Sequence, residues 1–117
     1  MAKKYALYAF NGDPMCVVHC WLNALDLNDN GSEVKVIVEG SATKLLHDYH
    51  NDEKAMFRPL YLKVKERDLI DAVCEACATK MGSLDSAKAE GLPIVGDMSG
   101  HPAMSKYLND GYSIITF

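Results

Sequence analysis

Five short apolar runs of strand length, separated by stretches of helical patterning, restrict this chain to an alternating β/α fold. The first, Lys4–Phe10, is apolar and aromatic and stops at the turn Asn11-Gly12-Asp13-Pro14. The spacing then predicts a helix over Met15–Asp29, with Asp13 as N-cap, Pro14 at its first position and Gly31 as its terminator. Val17, Val18, Trp21, Leu22, Ala24 and Leu25 form its apolar face, with Cys16 and Cys20 at the flanks and His19 on the polar stripe. Glu33–Glu39 alternates around Val34, Val36 and Val38 as a second strand. Gly40–Thr43 is a strand-to-helix turn leading into a helix that runs to about Tyr49, and a solvated connection follows over His50–Glu53.

A helix over Phe57–Arg67 precedes Leu69–Cys74, which reads as the third and central strand. Helical stretches are expected at Cys77–Gly82 and at Ser83–Glu90, the latter with Ser83 as N-cap and Gly91 as terminator. Leu92–Val95 is a short fourth strand, Ser99-Gly100-His101-Pro102 opens a last helix through Leu108, and Tyr112–Phe117 is the fifth strand. This order predicts a parallel or mainly parallel sheet covered by helices on both faces.

A length of 117 residues accommodates one hydrophobic core, so residues 1–117 are read as a single domain. The net charge of −4, with cations dispersed among acids, supplies no basic face and argues against nucleic acid as a partner. No apolar stretch approaches the roughly 18 residues of a membrane span. Lys3 and Lys4 precede an apolar run, but Tyr5–Phe10 is too short for a secretion signal. A cytoplasmic location is the expectation, and four cysteines in a reducing compartment point away from a disulfide framework.

In open α/β sheets, ligands gather where strands end and helices begin. That edge should collect Asn11–Cys16, Gly40–Thr43, Cys74–Cys77 and Met98–Pro102. Its strongest feature is Cys74-Glu75-Ala76-Cys77, a C-x-x-C pair at a strand-to-helix junction that can support thiol exchange. A helix start favours a thiolate at Cys77, Lys80 one turn on adds positive potential, and Cys74 is the more buried partner. The plainer reading makes both cysteines small core residues. Cys16, Cys20, Cys74 and Cys77 offer an alternative as a tetrahedral zinc set, although their spacing matches no standard module. His101 reads as an acid–base group or as a surface histidine. Gly40-Ser41-Ala42-Thr43-Lys44 lacks the glycine pattern of a phosphate loop, and Ser41 as a plain N-cap explains it.

The segment Leu69–Gly82, with its short strand, cysteine, basic residue three positions on and then glycine, resembles the cysteine region of the DsrE/DsrF-like (YchN-like) family. The opening strand, the loop with Asn11 and Asp13 and the long apolar helix are also similar. The resemblance implies a three-layer α/β/α sandwich with a mostly parallel five-stranded sheet, assembled as a trimer or hexamer. It implies a persulfide on Cys77, with Lys80 in the basic position. Cys74 is extra relative to many members, and Cys16 and Cys20 lie outside the family's pattern.

The expected function is therefore that of a sulfur carrier or sulfurtransferase. Cys77 would accept sulfane sulfur and pass it to a partner, with Cys74 as secondary thiol and no separate cofactor. Asn11, Asp13, Lys80 and His101 are the supporting or ligand-binding candidates. The alternatives are a non-catalytic binding module of the same fold and a zinc-binding structural protein.

Overall fold

The alternation of strand residues explains how this chain builds its layers. In the first strand, β1 (Lys4–Ala9), Leu7 and Ala9 fall in one buried cluster while Ala6 and Tyr8 fall in another. β2 (Glu33–Val38) repeats the division, with Val34, Val36 and Val38 on one side and Ile37 on the other. A sheet whose strands are apolar on both faces must be covered on both. The computed structural model, which describes residues 2–117, shows how the covering is shared.

One face carries the helices α1 (Pro14–Asp29), α2 (Lys44–Asn51), α3 (Arg58–Glu66), α4 (Glu75–Lys80) and α5 (Leu84–Ala89). Trp21, Leu46, Tyr49, Tyr61 and Val64 fill the space beneath them. The Trp21 indole donates to the Tyr49 hydroxyl at 3.1 Å, and Tyr49 stacks on Tyr61 with ring centres 4.5 Å apart. The other face carries α6 (Met104–Asn109), whose Tyr107 packs edge-on against Tyr8 and Tyr112. The fold is a three-layer α/β/α sandwich with a thin second helical layer.

With β3 (Ile70–Cys74), β4 (Ile94–Val95) and β5 (Ser113–Thr116), the strand order is β4-β3-β2-β1-β5, and every pair is parallel. The central strand is thus β2, not Leu69–Cys74 as expected, because the last strand adds beside β1. That closing connection has a consequence for the site. Leaving β4 at one edge and reaching β5 at the other, the chain must cross the sheet on the α6 face. It does so over the carboxyl ends of β3 and β2.

Several boundaries differ from the sequence expectation. α1 starts at Pro14 as its cap predicts, with Asp13 Oδ1 accepting from the Met15 N–H at 2.8 Å. Leu22, assigned to its apolar face, is exposed, and Cys20 is fully buried in its place. α2 continues through His50 to Asn51, where the Asn51 amide donates to the His47 carbonyl. Ser83 does not cap α5 through its hydroxyl, which turns back to the Ala78 carbonyl at 3.4 Å.

Candidate functional site

Two of the corrected boundaries lie at the carboxyl edge and determine its chemistry. α4 begins directly at Glu75, so Cys74 occupies the N-cap position and Cys77 sits inside the first turn. The free N–H of Cys77 therefore donates to Cys74 Sγ, at 3.4 Å. The helix start serves the first cysteine, not the second. Cys74 is fully buried, whereas Cys77 is half-buried.

The second correction concerns Ser99-Gly100-His101-Pro102, which does not open a helix; α6 starts at Met104. Met98 and His101 instead exchange backbone hydrogen bonds at 2.8 and 2.9 Å around a two-residue turn. Ser99 and Gly100 have φ of 51° and 92°, the left-handed pair that such tight turns require. Gly100 fits for a second reason, because a Cβ there would lie 3.0 Å from the Ala76 methyl. Its carbonyl accepts from the Ala76 N–H at 2.9 Å, which fastens the turn to α4.

Anchored in this way, the turn sets His101 over the cysteines. His101 Nδ1 lies 3.0 Å from Cys74 Sγ and 3.7 Å from Cys77 Sγ. It also lies 3.9 Å from Oε1 of Glu39, the residue that follows β2. By alternation Glu39 shares the face of Ile37, and Cys74 that of Ala72, so both point toward the crossing loop. One ligating atom from each of Glu39, Cys74, Cys77 and His101 lies within 4.8 Å of all the others. Three strand ends thus contribute two thiols, an imidazole and a carboxylate to one cluster.

Burial governs the charge states here. Desolvation, helped by the neighbouring Cys77 thiol, pushes the Cys74 thiol up to about 12. Desolvation also raises Glu39 above the ordinary carboxylate range, while His101 and the Cys74 thiol pull it partly back. Cys77 opens into a pocket of about 300 Å³ whose walls include Ser41, Lys80, Met81 and His101. A second, wider groove of about 540 Å³ runs along the other side of His101 between Phe10, Glu39 and Met104. The imidazole forms the partition between them.

The edge collects the segments that topology predicted, and it sorts their residues. Ser41 joins the Cys77 pocket, and its hydroxyl also accepts from the Gly12 N–H at 2.8 Å, tying the first loop to the second. Asn11 and Asp13 have local structural tasks, since Asn11 Oδ1 accepts from the Asp13 N–H and Asp13 caps α1. Neither lines the two pockets beside His101. Among the described residues, Cys16 and Cys20 do not join the cluster, so the zinc set proposed from sequence is not assembled. Cys20 lies in the core beneath α1, where burial pushes its thiol up to about 12. Glu39 was missed from sequence. Its signal was a carboxylate at the last alternating position of a buried strand, immediately before the edge where ligands gather.

No family model matches the chain. The uncharacterized protein MJ0733 of Methanocaldococcus jannaschii is 35% identical over 99 residues, covering 85% of this chain and 78% of that protein. An uncharacterized protein of Archaeoglobus fulgidus is 51% identical over 43 residues, covering 37% of this chain and 70% of that protein. The conserved protein of unknown function BT1422 from Bacteroides thetaiotaomicron superposes with a TM-score of 0.70. That alignment covers 98% of this chain and 95% of the other at 17% identity, a likeness of fold. The chain belongs to the family of the Methanocaldococcus protein.

Proposed function

We propose that this protein is a sulfur carrier of the DsrE/DsrF-like kind, with Cys77 accepting sulfane sulfur and Cys74 acting as its resolving thiol. The observation that carries the reading is the division of the pair. Cys77 faces an open pocket with Lys80 at its wall, while Cys74 is buried behind it within 4.8 Å. A carrier needs a thiol that a donor can reach, and a second thiol shielded from solvent beside it can resolve the persulfide.

In the loading step the Cys77 thiolate attacks the outer sulfur of a donor persulfide. The donor's S–S bond breaks, an S–S bond forms on Cys77, and the donor leaves as a thiolate. In the transfer step an acceptor thiolate attacks the outer sulfur, and Cys77 leaves as the thiolate. If Cys74 attacks the Cys77 sulfur first, a Cys74–Cys77 disulfide forms and sulfide leaves, and an external dithiol must then restore the pair. His101, with its ring nitrogen 3.0 Å from Cys74 and 3.7 Å from Cys77, is placed to take up the proton of either thiol. Lys80 at the pocket wall favours the anionic persulfide.

The reading assumes a reducing compartment, the cytoplasm, and an acceptor protein or further copies of this chain as partner. Met98 and Met104 are exposed apolar side chains beside His101 at the same edge and offer that partner a surface. Sedimentation should give a trimer or hexamer, and a monomer at working concentration would remove the oligomer from the proposal. The chemistry is tested by loading reduced protein with a small polysulfide donor and measuring the sulfide that a dithiol then releases. One equivalent per chain, counting sulfide already lost as the Cys74–Cys77 disulfide forms, is expected from wild type and none from Cys77→Ser. Cys74→Ser should hold its sulfur longer, because nothing resolves the persulfide. Equal release from wild type and Cys77→Ser would refute the assignment.

A further inference from the structure

We propose that Glu39, Cys74, Cys77 and His101 form a four-coordinate site for one zinc-like divalent cation. The first support is the donor set. Two sulfurs, one imidazole nitrogen and one carboxylate oxygen converge from three strand ends, every pair within 4.8 Å. A tetrahedron built with ordinary zinc–sulfur, zinc–nitrogen and zinc–oxygen bonds has edges of roughly 3.4–3.8 Å. The separations from His101 Nδ1 are 3.0, 3.7 and 3.9 Å to Cys74, Cys77 and Glu39, so small side-chain adjustments admit the ion.

The second support is Glu39 itself. Its side chain is only 9% exposed, and its neighbours are the His101 ring and the Cys74 thiol. A buried carboxylate is costly without a cation or strong hydrogen-bond donors, and a thiol is a weak donor. Its position beside two sulfurs and an imidazole is explained if it is a ligand. The third support is the N–H of Cys77 directed at Cys74 Sγ at 3.4 Å, which spreads the charge of a metal-bound thiolate.

The ligand types choose the metal class. Two thiolates exclude the oxygen-seeking cations calcium and magnesium, and a mixed sulfur, nitrogen and oxygen set suits zinc. On binding, both thiol protons leave to solvent, and two thiolates with one carboxylate leave the site one negative charge in excess. Lys80 at the wall of the adjoining pocket lies where that charge is felt. The cluster differs from the cysteine set suggested by sequence, because Cys16 and Cys20 are elsewhere.

The test titrates reduced, chelator-stripped full-length protein with cobalt and then with zinc, with no sulfur donor present, so its result does not depend on whether Cys77 carries sulfur. One cobalt per chain is expected, with intense tetrahedral ligand-field bands and thiolate charge transfer, bleached by one equivalent of zinc. His101→Ala and Cys77→Ser, both at partly exposed positions, should weaken binding by at least the roughly 10–100-fold seen for groups that merely support ligands. Cys16→Ser should leave the spectrum unchanged. A weak octahedral spectrum without charge transfer would overturn the proposal. So would unchanged cobalt affinity in His101→Ala and Glu39→Gln.

Discussion

Glu90 joins three of the helices behind the cysteine helix, and replacing it with glutamine should remove a calculable part of the stability. Its side chain is 11% exposed. It accepts from the Tyr61 hydroxyl at 2.7 Å and from Lys65 Nζ at 3.0 Å, and its other oxygen lies 2.7 Å from the His50 ring. Desolvation alone would raise its pKa, but the hydrogen bonds from Tyr61, His50 and Lys65 outweigh it and bring the group down to about 2. Against an ordinary 4.5, that depression corresponds to about 3 kcal/mol of folding stability at neutral pH. Lys65 and His50 are each about a third exposed, so screening reduces the measured loss to roughly 2 kcal/mol.

Because the folded-state pKa is depressed, this contribution is complete above about pH 4.5 and is lost as pH falls toward 2. Glu90→Gln should therefore be less stable than wild type at pH 7 by roughly 2 kcal/mol, a melting shift of about 6–10 °C. The two stabilities should converge near pH 2. Urea unfolding at a series of pH values measures both curves. A gap of constant size from pH 7 to pH 2 would refute the electrostatic account and assign the loss to packing. Equal stabilities at pH 7 would refute the network altogether.

Three further outcomes follow from the structure. Gly100→Ala combines a left-handed φ of 92° with a Cβ 3.0 Å from Ala76, so it should cost more than the roughly 1–2 kcal/mol of the dihedral alone. Gly91→Ala, at φ 74° with open space around it, should cost only that dihedral term; equal losses in urea melts would remove the contact from the explanation. Alkylation of the reduced, metal-free native protein at mild alkaline pH should mark Cys77 and Cys16 and spare Cys74 and Cys20, whose thiols burial holds up at about 12. Peptide mapping reads the pattern, and early labelling of Cys74 would contradict its burial. Trp21→Ala removes a fully buried indole and leaves Tyr49 without its donor, so thermal unfolding should show a loss of about 3–5 kcal/mol.

The layers were legible in the sequence because strand alternation and helix caps are local signals. Asp13 and Pro14 start α1 where they should, and Val34, Val36 and Val38 face one core together. The convergence of loops was legible too, since parallel strands must end at one edge. The strand order was less so. Placing β5 beside β1 depends on which edge the last crossover reaches, and no short run of residues encodes that. The turn at Ser99-Gly100 was mistaken for a helix entry because serine, glycine and proline serve both purposes, and its left-handed dihedrals emerge only in the packed loop. His101 becomes a partner of the cysteines through the same crossover, and Glu39 through the pairing of β2 with β3. Their assembly is a long-range fact, carried by 3.0 Å and 3.9 Å contacts between residues far apart in the chain.

The most direct test of the central claim is where sulfur resides after loading. Reduced, metal-free protein would be treated with a sulfane-sulfur donor, blocked with an alkylating agent and mapped by tandem mass spectrometry. The account predicts one additional sulfur, removed by reductant, on Cys77 or the Cys74–Cys77 disulfide that its loss leaves, and no additional sulfur on any other cysteine. Additional sulfur on Cys16 with Cys77 unmodified, or none on a Cys77 shown to be reduced and accessible, would contradict it.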